Sequence, residues 1–579
     1  MYNSQRLLLT LIVCLNSTTL YAQSNVNIKV NGLNKLLEDN VRLFLSIEQQ
    51  NNHALINEGR LYRLHKKAPQ EISNALQPFG YYRPEIETSL TQPTPNQWQA
   101  TYIINPGPPL PIGQLNFTVS EEMSKDPEFL SLIKKSSLRK GKTFNHLDYD
   151  NFKTSLSKLA AERGYFNATF TEHRVEIDLD AYEARINLHY DGGSRYHFGD
   201  VLLKQDVLKQ EFLQRYIPFE KGSPYTLSEV IDLQQALNDS DYFQTVEVSP
   251  GQPQSESTEI PIAVTLTPRK PNRYSIGLGY GTDTGARARF GWEKPRLNRR
   301  GHRFNSEARI SEIGYSLSGH YRVPVLNPRT DQMVYSAGIV KEETDASNST
   351  VRTVGASLNR SRKSWRESVS VNYQKEEYII ADERGASTLL IPGVNWSRIW
   401  GHKLIYTLEG LRFNIGMRGA SKSLVSDTNF FQLQGGIKAI HPFGRRGRII
   451  AHGKLGGTST EEFDQLPSSV RFFAGGSQSV RGYSYNSLGP ENENGDVVGG
   501  KYLMVGSIEY EHNFGNKWGA ALFYDAGNAI DDTDEKLERG AGFGFRWQSP
   551  IGPVRIDLAS AISRDNRPWR IHITIGPDL

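Results

Sequence analysis

From Arg273 to the end of the sequence, sixteen short segments alternate apolar and polar residues, and no helical periodicity interrupts them. No other feature limits the fold so tightly, because a two-residue period turns one face of every strand toward an apolar medium and the other toward water. RYSIGLGYG, ARARFGWE and RFNSEARIS open the series, and GAGFGFRWQS, PVRIDLASAI and WRIHITIGPDL close it. An even number of strands suits a bacterial transmembrane β-barrel, whose strands mix lipid-facing and lumen-facing residues. A mean hydropathy of −0.51 therefore does not exclude a membrane protein. Seven of the eight tryptophans, all but Trp98, lie in this half, as interfacial girdles require. The connections KPRLNRRGH, SRKS, WGHK, PFGRRGR and SPIGP are short and often basic. Between them fall longer acidic stretches, KEETDASNST, EEYIIADERGAS and NAIDDTDEKLERG. Short turns belong to the periplasmic side and long loops to the outside. Residues 268–579 are thus expected to form a 16-stranded antiparallel barrel with both ends at the periplasm. A soluble all-β protein is the competing reading.

Upstream, three segments share one plan of helix, Gly/Asp-Tyr-aromatic step and strand. The steps are Gly80-Tyr81-Tyr82, Gly164-Tyr165-Phe166 and Asp241-Tyr242-Phe243, at intervals of roughly 80 residues, the size of a small α/β module. Ala68, Ile72, Leu76 and Phe79 give the first helix an apolar face, and Tyr149, Phe152, Leu156 and Leu159 the second. Thr226-Leu227-Ser228-Glu229 is a capping-box pattern ahead of Val230, Ile231 and Leu237. Val175, Ile177 and Leu179 then share one strand face, and Ala184, Ile186, Leu188 and Tyr190 another. The aromatic pairs are expected to seal each helix against its own sheet. The fold class expected is three α+β modules of βααββ type, over 23–106, 107–191 and 192–267, followed by the barrel.

Residues 1–22 have the composition of an export signal: Arg6, an apolar core from Leu7 to Leu15, and Ala22 at the expected cut. The only cysteine, Cys14, lies in that segment, so a mature chain starting after it has no disulfide, thiolate or cysteine-bound zinc. The net charge of +4 over 579 residues gives no support for nucleic-acid binding. Enzyme motifs fail in detail. Gly141-Lys142-Thr143 has Ser136 where a phosphate loop needs its first glycine. Neither a His-Glu-x-x-His pair nor a Gly-x-Ser-x-Gly elbow occurs. No enzyme activity, cofactor or metal is expected.

The stretch RFFAGGSQSVRGYSY sits in a connection of about 40 residues, from Thr460 to Lys501, between the eleventh and twelfth strands. So long a loop is usually functional or disordered, and this one is too aromatic for disorder. Folded back into the lumen, it would bury Phe472, Phe473 and Tyr483, and Arg481 would need an anion there. Alternation places Glu509, Glu511 and Asp525 on the inner wall, because Ile508, Tyr510, Leu522 and Tyr524 take the lipid side. Balancing lumen arginines such as Arg546 and Arg555 is the other use for these acids. At the barrel seam, Gly277, Gly279 and Gly281 thin the first strand. Near the other end, Gly576 precedes Pro577, which cannot donate to a ladder. Either these residues weaken the seam or the glycines only fit a crowded wall.

Val480-Arg481-Gly482-Tyr483 resembles the Val/Ile-Arg-Gly-aromatic motif of the POTRA-plus-barrel assembly superfamily, which includes BamA and the two-partner secretion transporters. Three repeats, together with LRKGKTFNHLDYDNFKTSLSKLAAERGYF, SSVRFFAGGSQSVRGYSYNSLGP and GAGFGFRWQSPIGPVRIDL, resemble its translocation-and-assembly-module branch, the TamA type. The resemblance implies that the motif arginine docks on inner-wall acids at Glu509 and Asp525. It also implies insertion of unfolded outer-membrane clients such as autotransporters, an inner-membrane-anchored TamB-like partner, and handling of outer-membrane lipid. A Gram-negative outer membrane, with the repeats in the periplasm, would be the location. A dedicated secretion pore passing one substrate is the alternative.

Overall fold

The computed structural model describes residues 25–51, 58–95, 97–252, 257–401, 406–515, 517–532, 534–549 and 552–575. The expected export segment, Gly576 and Pro577 lie outside them. Contacts divide the chain into two compact units, the first holding the first two modules and the second the barrel with most of the third module.

Each module builds a three-stranded sheet of the same order. The first joins β1 (Asn25–Asn31), β2 (Glu85–Thr94) and β3 (Gln97–Asn105) as β1-β3-β2. The second joins β4 (Ile112–Val119), β5 (Thr169–Asp178) and β6 (Glu183–Asp191) as β4-β6-β5. The third joins β7 (His197–Lys204), β8 (Phe243–Pro250) and β9 (Glu259–Pro268) as β7-β9-β8. In the first two the outer pair β1–β3 or β4–β6 is parallel and the hairpin pair antiparallel. The long helices lay their periodic faces on these sheets. Ala68, Ile72 and Leu76 are buried from helix Glu58–Leu76, and Tyr149, Phe152, Leu156 and Ala160 from helix His146–Glu162. In helix Leu227–Asp239 the buried face is Val230, Leu233, Ala236 and Leu237, with Ile231 exposed. One expectation needs correction. Leu179 falls past the end of β5 and is exposed.

The repeated aromatic step does more than seal its own module. The Gly80 carbonyl accepts from Leu110 N at 2.8 Å, and the Gly164 carbonyl accepts from Tyr196 N at 2.9 Å. In the third copy the Tyr242 carbonyl accepts from Arg269 N at 3.0 Å. Tyr81 and Tyr165 pack into their own modules, whereas Tyr82 reaches His146 Nε2 at 2.8 Å and Phe166 meets Tyr225 edge-on. Tyr242, fully buried, donates its hydroxyl to the Gly301 carbonyl at the first periplasmic turn of the barrel. Asp232 receives two bonds from Arg329, at 2.6 and 2.8 Å, in the next periplasmic turn. Each step is therefore a joint to the next module or, in the third copy, to the barrel.

The barrel begins with β10 (Arg273–Gly281), β11 (Gly285–Lys294), β12 (Arg303–Ser311), β13 (Gly314–Pro324) and β14 (Asp331–Glu343). It continues with β15 (Ser347–Arg362), β16 (Trp365–Ile380), β17 (Glu383–Gly401), β18 (Gly410–Ala420) and β19 (Phe430–Phe443). β20 (Gly447–Ser459), β21 (Tyr502–Phe514), β22 (Trp518–Ile530), β23 (Glu538–Ser549), β24 (Gly552–Ala561) and β25 (Trp569–Ile575) complete it. The sixteen strands pair antiparallel in sequence order. Outward rows are apolar, as in Leu278–Ala288–Ile310–Tyr315. Two stretches expected as outer loops are largely strand. β14 and β15 turn over only Thr344 to Ala346, and β16 and β17 over Ala381 and Asp382. Polar side chains do not end a ladder whose backbone partners remain in register beyond the bilayer.

Candidate functional site

The long connection after β20 folds into the barrel. Its first stretch is fixed to one wall by Glu376 on β16, a fully buried acid that accepts from Ser468 Oγ and from the hydroxyl of Ser469. Arg418 donates to the Ser469 carbonyl at 3.0 Å, and Gln432 to the Val470 carbonyl at 2.7 Å. Phe472 pairs with Gly500 through both backbone groups and covers Gly456 of β20, where a Cβ would stand 2.5 Å from its ring. Phe473 lies against Gly499 in the same way.

Val480, Arg481 and Gly482 then reach the wall formed by β21 to β25. Val480 and Tyr483 are buried with Ala474, Leu488, Val505 and Ala561. Gly482 has φ +99, and a Cβ there would come 2.9 Å from Ala561 N, so no other residue fits that approach without a shift. Tyr483 donates to Glu538 at 2.5 Å.

Arg481 grips Asp525 three ways, through its own backbone N–H at 3.0 Å, Nε at 2.7 Å and Nη2 at 2.9 Å. Its Nη1 donates to Glu509 at 2.6 Å and to Asp557 at 3.1 Å, and its plane lies 3.4 Å over the Phe523 ring. Arg546 shares the same acids, reaching Glu509 at 2.7 Å, Glu511 at 2.9 Å and Asp557 at 2.5 Å. Arg448 closes the chain on Glu511 at 2.5 Å. Glu509 thus serves the loop arginine and a wall arginine at once. Isolated charges at such depth are costly, and alternating them with opposite partners offsets much of that cost. Asp557 and Arg448 were not singled out from sequence, and Glu511 was faced inward without a partner. Strand alternation marks them as lumen-facing, but only the cross-strand register sets them beside one another.

At the seam, β10 and β25 are the two ends of the sheet and are not laddered together among the described residues. Gly277, Gly279 and Gly281 face the lumen. A Cβ on Gly279 would meet the Arg287 side chain, and one on Gly281 would lie 3.6 Å from the Ile573 carbonyl. On the lipid side Ile276 is 79% and Leu278 84% exposed, the barest apolar side chains on the strand. An unpaired strand edge of this kind can accept another strand.

Residues 270–578 match the Omp85 superfamily domain. Residues 27–106 match a POTRA domain described as TamA domain 1, and 111–191 and 196–269 match POTRA repeats described as surface antigen variable number repeat. The outer membrane protein assembly factor BamA of Nitratidesulfovibrio vulgaris is 22% identical over 91% of this chain and 69% of its own length. BamA of Neorickettsia risticii is 23% identical over 75% of this chain, which spans 62% of that relative. Among solved structures, BamA from Haemophilus ducreyi lacking POTRA domains 1–3 superposes with a TM-score of 0.68 at 16% identity, over 81% of this chain and 99% of that one.

Proposed function

The chain belongs to the Omp85 superfamily, and from that premise we propose that it is an outer-membrane assembly factor whose barrel admits client strands at the β10–β25 seam. The barrel lies in the outer membrane of a Gram-negative cell, with its amino-terminal modules in the periplasm. The observation that carries the proposal is the pair of terminal strands that share no ladder among the described residues, one of them baring Ile276 and Leu278. A client strand adding to β10 satisfies backbone groups that are otherwise unpaired, and the client's own folding supplies the free energy. The loop held in the lumen by Arg481 supports insertion at the wall over passage through the centre.

Within the superfamily we assign the chain to the TamA type, on three modules of which the first matches the TamA description. That assignment brings a TamB-like inner-membrane-anchored partner, autotransporter-like clients, and lipid as a second cargo. Reconstituting the full chain in liposomes with a urea-unfolded client barrel tests the function. Client reaching its heat-resistant folded form several-fold faster than in empty liposomes supports it. An unchanged rate with folded, correctly oriented protein refutes it.

A further inference from the structure

The lumen loop and the seam, which look like two sites, are physically joined. Asp283 sits in the turn between β10 and β11, and its Oδ2 accepts from Ser477 N at 2.8 Å and from Ser477 Oγ at 2.6 Å. On the other edge, His572 of β25 is fully buried, and its Nε2 accepts from the Gly482 N–H at 2.9 Å. Because that N–H donates, Nε2 carries no proton, and a neutral ring holds its proton on Nδ1. Among the described residues Nδ1 has no hydrogen-bond partner, and it stands 3.8 Å from Asp283 Oδ1. Arg570, two residues earlier on β25, donates to Ser484 Oγ at 2.6 Å. The direct links between the two edges are sparse by comparison. Ile573 N reaches Thr282 Oγ1 at 3.3 Å, beyond the end of β10, and Arg287 Nη2 reaches the Ile575 carbonyl at 3.5 Å.

We propose that Asp283 and His572 are positioning residues through which the lumen loop clasps the two seam strands, so that undocking the loop and parting the seam are one event. The clasp holds the outer end of the seam, where Ser477 takes the first hairpin and Gly482 and Ser484 take the last strand. Once the clasp lets go, β10 is open to an incoming strand. This deepens the assembly reading, since it treats the seam as the working edge.

The test needs no client. Full-length protein with Cys14→Ser receives nitroxide labels at Leu278→Cys and Ile571→Cys, both exposed on the outer face of the seam strands, and interspin distances are measured in lipid nanodiscs. Asp283→Ala with His572→Phe is expected to move the population outward by about one strand spacing, ~5 Å. Asp283→Asn with His572→Gln keeps an acceptor at each position and is expected to retain the parent distribution. An unchanged distribution in the folded Ala/Phe variant, or an equal shift in the Asn/Gln variant, overturns the clasp. Should the Ala/Phe variant lose its heat-shifted migration, a Ser477→Cys/Asp283→Cys disulfide replaces it. That bond must trim the long-distance tail, and no trimming overturns the proposal. A normal distance response with no acceleration of client folding would sink the assembly reading and leave the clasp standing.

Discussion

At the scale of single residues the account turns on Arg481, a cation with three carboxylates around it inside the barrel. Arg481→Met leaves those carboxylates partly uncompensated, and breaking a buried pair in this way costs about 3–5 kcal/mol. The sixteen-strand ladder remains, so the barrel should keep its heat-shifted migration while the 471–485 stretch becomes open to protease and assembly falls. Adding Asp525→Asn should recover part of the loop's protection, because it removes one orphaned charge along with its partner. Equal cleavage of the single and double variants would contradict the pairing. Arg481→Lys should rescue poorly, since a point charge cannot serve Asp525 and Glu509 with the arginine's planar fork. The sequence was legible here to a limited depth. Alternation faced Glu509 and Asp525 inward, and it faced Glu511 and Asp557 inward equally well. What it could not convey was stagger: Glu509 lies opposite Ile450 and Phe523, and the side chains converge only across several strands.

Among elements, the aromatic steps are the working parts of the amino-terminal half. Gly164 has φ +84, and a Cβ there would stand 3.0 Å from Tyr225 Cβ and 3.1 Å from the Tyr196 carbonyl. Gly164→Ala should therefore destabilise this joint by about 1–3 kcal/mol, read as a lower thermal midpoint for the amino-terminal modules. Tyr242→Phe removes only the hydroxyl that holds the Gly301 carbonyl, a loss of about 1 kcal/mol that should appear as faster amide exchange at the first periplasmic turn. The Asp232–Arg329 pair gives a pH prediction. Its hydrogen bond to Arg329 lowers the Asp232 carboxyl below its ordinary value, so the bonus is present above the unfolded carboxyl's pKa and is lost as pH falls through the lower folded one. Exchange protection in helix Leu227–Asp239 should stay flat from pH 7 to pH 5 and weaken only below about pH 4. The pair is partly exposed, so the change should not exceed about 1 kcal/mol. Helix faces and strand alternation were readable from sequence because both are local. Loop lengths were not: acidity at KEETDASNST marked water, and water outside a membrane is compatible with strand as well as loop.

On the scale of the whole molecule, the chain is an alternation of joints and closures with one closure left weak. Each module is tied to its successor in the chain by a carbonyl and an aromatic, and among the described residues the barrel is tied to itself by a continuous ladder except between β10 and β25. The glycines at 277, 279 and 281 suggested that weakness, yet Gly279 also makes room for the Arg287 side chain, so composition alone did not separate the two uses. The register between the terminal strands was beyond reach of the sequence, because no turn connects them to fix it. One contact between their ends is placed, Ile573 N reaching Thr282 Oγ1 at 3.3 Å. Thr282→Cys with Ile573→Cys, in a Cys14→Ser background, is accordingly the most direct test of a working seam. Client assembly is measured in cells with the disulfide confirmed and then reduced. The account predicts loss of assembly when the pair is oxidised and recovery on reduction; full assembly through a confirmed lock would contradict it.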